Sequence, residues 1–128
     1  MINFCTSANL VKVLVLTAFL LASIQTASAA EKWKTCDLSN YTDHTITELY
    51  MWVSGYDINE VGKNMLEGQP PVKNGETLKV NYNAEHRYYN VRVIFDNGDL
   101  TDWEKLDCKN LERITLFKDG EVYRAKVN

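Results

Sequence analysis

The stretch RYYNVRVIFDNGDLTDWE, Arg87–Glu104, decides the fold. Tyr89, Val91, Val93 and Phe95 alternate with Tyr88, Asn90, Arg92 and Ile94, the period of two that sends successive side chains to opposite sides of a strand. Asp96-Asn97-Gly98-Asp99 then interrupts the run. Asn-Gly tolerates the positive φ values of a type I′ turn, so a two-stranded hairpin is expected, with Leu100–Glu104 as its return strand.

Reading outward, the same grammar recurs. Trp33–Ser39 is a short strand closed by the polar turn Asn40–Asp43. Thr45–Val53 (TITELYMWV) is rich in β-branched and aromatic residues, which strands favour. Its alternation places Leu49, Met51 and Val53 on one face, with Ile46, Glu48, Tyr50 and Trp52 on the other. Apolar groups on both faces read as a central strand covered on both sides. Leu78, Val80 and Tyr82 define a further strand. Arg113–Lys118 and Glu121–Val127 pair across Asp119-Gly120. Only Ser54–Lys73 breaks the pattern, with Gly55, Gly62, Gly68 and the Pro70-Pro71 pair as punctuation. Within it Ile58–Leu66 is long enough for one or two helical turns, burying Val61, Met65 and Leu66. The chain is therefore expected to be all-β, a small antiparallel β-sandwich, immunoglobulin-like or similar, with a small β-barrel as the alternative.

The first thirty residues follow another logic. Lys12 is their only charge, Val13–Ala22 is apolar apart from one Thr, and Ala27-Ser28-Ala29 offers small residues at a cleavable spacing. That is the layout of a secretory signal peptide over residues 1–30. Its apolar core falls short of the roughly 20 residues that span a bilayer. A single β-domain over 31–128 remains, about 98 residues, and a periplasmic or secreted location is expected. In that setting Cys36 and Cys108 are expected to form a disulfide, because thiols persist poorly in oxidising compartments. The closed loop, roughly 73 residues, is worth about 4 kcal/mol in the chain-entropy account.

The formal net charge is −3. Acidic and basic residues are interspersed with no basic stripe, which argues against nucleic acid as a partner and against a basic membrane-binding segment. No membrane span is expected in the mature chain.

The residues Asn40, Thr42, Ile46, Leu49, Tyr50 and Gly75, followed by Tyr89, Val91, Arg92, Val93, Phe95, Asp96, Gly98, Trp103, Asp107 and Cys108, resemble a pattern shared by a family of small exported bacterial proteins of no established activity. The strongest block is Tyr89–Cys108. The resemblance implies an exported β-domain and carries over no catalytic residues. This chain has Val61-Gly62 where the family commonly has Trp-Gly, and Tyr88 where it often has a Cys.

Few residues offer chemistry. Ser39 and Ser54, with His44 and His86, lack a nucleophile-elbow pattern, so no catalytic residues are assigned. The acids Asp96, Asp99, Asp102, Glu104 and Asp107 crowd one segment. A carboxylate- or metal-dependent enzyme is one reading of them, calcium held by this cluster with Asp57 or Glu60 being its metal form. Turn and surface roles explain the same acids, and no metal or cofactor is expected. Asn40-Tyr41-Thr42 matches an N-glycosylation sequon.

The positive signal is aromatic. Tyr50, Trp52, Tyr88 and Arg92 share the side of their strands opposite the apolar rows, a platform for a sugar or a protein partner if it faces solvent. Tyr56, Asp57 and Asn59 in the irregular segment are the other candidate contacts. The leading expectation is a non-enzymatic binding, inhibitory or adaptor protein of the bacterial envelope, whose partner is a protein or an envelope component. A carbohydrate- or peptidoglycan-binding module is the alternative.

Overall fold

The structure, a computed structural model, describes residues 32–128. The expected signal peptide over 1–30 lies outside the described residues. Seven strands and one helical turn follow in the order β1 (Trp33–Tyr41), β2 (Ile46–Val53), α1 (Ile58–Val61), β3 (Thr77–Asn83), β4 (Tyr88–Phe95), β5 (Leu100–Asp107), β6 (Arg113–Asp119) and β7 (Val122–Val127). They form a four-stranded sheet, β3-β1-β6-β7, and a three-stranded sheet, β2-β4-β5. Two sheets packed through their apolar faces make a β-sandwich. Neither sheet closes into a barrel.

The core is the set of inward rows. Leu38 on β1, Leu49 on β2, Val80 and Tyr82 on β3, Tyr89, Val91, Val93 and Phe95 on β4, and Ile114 and Leu116 on β6 are all buried in one cluster. β4 alternates without exception, its even-numbered residues facing out. Among the described residues no helix is long and apolar enough to cross a membrane.

Four local expectations need correction. First, β2 is an edge strand, not a central one. Its outer edge is covered by the irregular segment: Met65 N–H donates to the Leu49 carbonyl at 2.7 Å, and Asn64 Oδ1 accepts from Leu49 N–H at 3.1 Å. Val72 bridges Ile46. A loop thus performs the edge protection that a strand would otherwise supply.

Second, Ile46 faces the core. Ile46 pairs with Phe95 while Glu48 pairs with Ile94, so an irregularity at Thr47 shifts the phase by one residue. Third, Asn97 does not take the positive φ of a type I′ turn; Gly98 does, at 87°. The Phe95 N–H bonds the Asp99 carbonyl at 2.9 Å and Gly98 N–H returns to the Phe95 carbonyl at 3.0 Å. This is the longer hairpin loop with a left-handed glycine. At the last hairpin Asp119 pairs with Val122, so Gly120 and Glu121 are the central residues. Fourth, β1 and β6 run parallel, Asp37 opposite Arg113 and Tyr41 opposite Phe117. The sandwich is antiparallel elsewhere: across β1 and β3 the side-chain bonds Thr35–Asn81, Ser39–Thr77 and Lys79–Asp37 run in opposite senses.

The expected helical stretch shrinks to α1, capped by Asp57, whose carboxylate accepts from Asn59 N–H at 2.8 Å. Leu66 is buried and Met65 packs on the core. The Val61 side chain lies outside the described residues.

Asn40 closes the molecule at the end of β1. It is fully buried. Its Nδ2 donates to the carbonyls of His44 at 2.8 Å and Val72 at 2.9 Å, while Oδ1 accepts from Thr42 N–H at 3.1 Å and from the Thr42 hydroxyl at 2.6 Å. An amide committed in this way is closed to a glycosyltransferase in the folded chain.

Cys36 and Cys108 are free thiols, both buried, so the expected bond between them is not formed in this structure. The Cys108 thiol donates to the Leu106 carbonyl at 3.5 Å. Burial is the main cause that pushes both thiols up from 9.0 to about 11. The folded state therefore holds these protons more tightly than the unfolded chain does. That stabilisation is complete below about pH 9 and is lost as the pH rises towards 11. The unfolding free energy of the reduced protein, read from urea denaturation, is expected to fall across this window by on the order of 2 kcal/mol per thiol. Chain with the two sulfurs bonded has no such titration, and equal curves for the two forms would refute the assignment.

Candidate binding face

The outward rows of β2, β4 and β5 assemble the aromatic and charged candidates on one surface. Register places Tyr50 opposite Arg92 and Arg92 opposite Asp102, giving one row across the three strands. Trp52 and Asn90 form the next row, and Tyr88 stands opposite Asp107 at the end. Tyr50, Trp52, Tyr88 and Arg92 therefore do share a face.

Arg92 is its fixed centre. Its guanidinium makes a two-pronged contact with Asp102, Nε to Oδ1 at 2.6 Å and Nη2 to Oδ2 at 2.8 Å. Such a fork holds both planes in one orientation, beyond what a single contact does. The Asp102 bond raises the Arg92 pKa further above its ordinary value. On the β2 side the guanidinium carbon lies 6.0 Å from the centre of the Trp52 ring, at the outer limit of a cation–π contact.

The four side chains differ in access. Trp52 is only 8% exposed, and its Nε1–H donates to the Tyr56 carbonyl at 3.0 Å. The indole is spent anchoring the turn after β2. Tyr50 is half-buried, and its hydroxyl donates to Glu48 Oε1 at 2.9 Å. That bond, with burial, raises the Tyr50 pKa. Tyr88 is 45% exposed and Tyr56 is 56% exposed. These two rings are the more exposed aromatics of this surface.

The turn between them is built tightly. Ser54 N–H donates to the Tyr88 carbonyl at 3.0 Å, and Gly55 adopts φ of 97°. A side chain at that φ is strained, so glycine is required by conformation. Asn90 Oδ1 accepts from Lys105 N–H at 2.9 Å, where Lys105 itself has φ of 53°. Register between β4 and β5 shifts beside it, between Tyr89 and Val91. Beside this bulge lies a shallow recess of about 530 Å³ lined by Ser54, Gly55, Tyr88 and Lys105. Asp57 and Asn59 are exposed just beyond, in the α1 cap, so the Asp57 carboxylate already holds a backbone N–H.

Asp102 and Lys105 are the members that sequence reading passed over. Asp102 stood in the crowd of acids, and only the hairpin register singles it out as the partner of Arg92. Lys105 lay beyond the end of the expected return strand.

The candidates for chemistry are scattered. Ser39 is buried with its Oγ 2.9 Å from the Thr77 hydroxyl, not beside His44. His44 instead sits with its ring centre 6.1 Å from that of Phe95, its Nδ1 3.9 Å from Asp96. Among the described residues no group of three or more His, Cys, Asp or Glu is placed to hold one metal ion. The fold and the face define a small β-sandwich with one ordered polar–aromatic surface. No protein family, curated protein or solved structure matches the chain.

Proposed function

We propose that this chain is an exported, non-enzymatic binding protein, an inhibitor or adaptor, that meets a protein or cell-envelope partner through the outer face of β2-β4-β5. The observation that carries the reading is the pairing of rigidity with exposure. Arg92, Asp102, Trp52 and the Ser54–Tyr56 turn are locked to one another, while Tyr56 and Tyr88 project beside the recess. Exposed tyrosines on a fixed support lose little freedom on binding and bury a large amphipathic area. A sugar-stacking platform draws less support, since the indole of Trp52 is covered and only the two tyrosines remain to stack. Export also implies a bond between Cys36 and Cys108, tying β1 to the segment after β5.

The test is capture from envelope extract with immobilised full chain. One protein retained in stoichiometric amount is expected, with at least a tenfold loss on Tyr56→Ala/Tyr88→Ala. Undiminished capture by that double variant rejects the face. Recovery of glycan fragments alone moves the assignment to the sugar reading.

A further inference from the structure

A second recess, about 320 Å³, is lined in part by Lys34, Tyr82, His86, Cys108 and Lys109. Nothing in the binding reading uses it. One of the two core thiols contributes directly to its wall.

The second thiol stands behind it. Alternation along β1 puts Lys34, Cys36 and Leu38 on one side of the strand. Lys34 lines the recess, and Cys36 is the next residue inward on that row, two strand positions or roughly 7 Å further on. The chain after β5 returns to the same place. Leu111 N–H closes a turn onto the Cys108 carbonyl at 3.3 Å, and Asp37 N–H then donates to the Glu112 carbonyl at 3.0 Å. The segment bearing Cys108 is thereby laid against the part of β1 bearing Cys36. Tyr82 lines the recess with Cys108 and shares one buried cluster with both cysteines. Cys36 is 1% exposed and Cys108 3%, but only Cys108 borders the opening.

We infer that the recess is the entry point of a dithiol–disulfide site in which Cys108 reacts first, as the attacking thiol, and Cys36 resolves, the co-reactant being a disulfide carried by a small thiol compound or an exposed protein loop. The inference rests on the Cys36–Cys108 bond proposed above and adds its route. In the first step the Cys108 thiolate attacks one sulfur of the oxidant R–S–S–R. That S–S bond breaks, R–S⁻ leaves and takes up the proton that Cys108 gave to solvent. In the second step the Cys36 thiolate attacks the Cys108 sulfur of the mixed disulfide and expels the second R–S⁻. Two electrons and two protons pass to the oxidant, which ends as two R–SH, and Cys36 and Cys108 end bonded. The raised thiol pKa values make the first step slow at neutral pH and faster in alkali.

The test uses the full chain with Cys5→Ser, so that two thiols remain, and glutathione disulfide as oxidant followed by intact mass. The parent is expected to lose two hydrogens and keep no adduct. Adding Cys36→Ser should trap one glutathione on Cys108, and adding Cys108→Ser should slow adduct formation at least tenfold. A parent that keeps both thiols overturns the bond itself. A parent that oxidises, while Cys36 takes the adduct as fast as Cys108, overturns the order alone. Lys34→Trp provides a reading that leaves the core untouched: it narrows the mouth and should slow parent oxidation about tenfold, and an unchanged rate overturns the route.

Discussion

Asn40→Ala is expected to destabilise the domain by about 3 kcal/mol, seen as a lower urea midpoint with an unchanged slope. The substitution creates little cavity; its cost is polar. The amide of Asn40 satisfies the His44 and Val72 carbonyls and takes the N–H and hydroxyl of Thr42, itself fully buried. Alanine leaves these groups facing one another without water. Val72 keeps its bond from Ile46 N–H at 2.9 Å and the Thr42 hydroxyl keeps a longer bond to the His44 carbonyl at 3.2 Å, but the Thr42 N–H loses its acceptor and both carbonyls lose the amide donor. Asn40→Asp separates shape from donor chemistry. It retains the acceptor for Thr42 yet turns a carboxylate towards two carbonyls, so it should be at least as damaging as alanine at neutral pH and partly relieved in acid. A loss under 1 kcal/mol for both variants would mean the network is dispensable.

Phe95→Ala is expected to cost still more, about 4 kcal/mol, a large share of the net stability of a domain of this size. Phe95 is buried at the end of β4, with Ile46 opposite it across the sheet. Its ring stacks on Tyr123 of β7 at 4.5 Å between centres and 25° between planes. It therefore joins the two sheets where β5 and β7 meet at the corner, where Trp103 Nε1–H also donates to the Tyr123 carbonyl at 3.3 Å. Phe95→Leu keeps most of the volume and should cost less than half as much. Thermal denaturation of the two variants distinguishes lost packing from a merely local change: equal, small shifts in both would argue that Phe95 is not a joint between sheets.

The legible part of this fold was the part governed by one period. Tyr89, Val91, Val93 and Phe95 could be assigned inward from alternation alone because β4 is regular and lies between two neighbours. β2 resisted for two reasons. An irregularity after Ile46 reverses the phase, and such a slip leaves no mark in composition. Its apolar outer side also arises from a loop folding over Trp52, which resembles sheet burial in sequence. The face itself was readable as a set of residues, since same-side positions follow from parity. Access was not: whether Trp52 is offered or covered depends on where Tyr56 turns. The Arg92–Asp102 fork was hidden because it joins residues on separate strands, whose register depends on the hairpin loop that Gly98 permits. Asn40 looked like a modification site because a sequon records only local order, whereas its environment is set by segments far along the chain.

The parallel pairing of β1 with β6 has a consequence for how the molecule comes into being. Asp37 waits for Arg113, roughly 75 positions later, and long-range pairing of this kind slows folding because the loop must close before any contact rewards it. β1 has its other neighbour in β3, yet the sheet it seeds has no interior until the last quarter of the chain arrives. A growing polypeptide thus cannot complete the β3-β1-β6-β7 sheet until residues 113–127 have arrived: the docking of its first strand is gated by its last two.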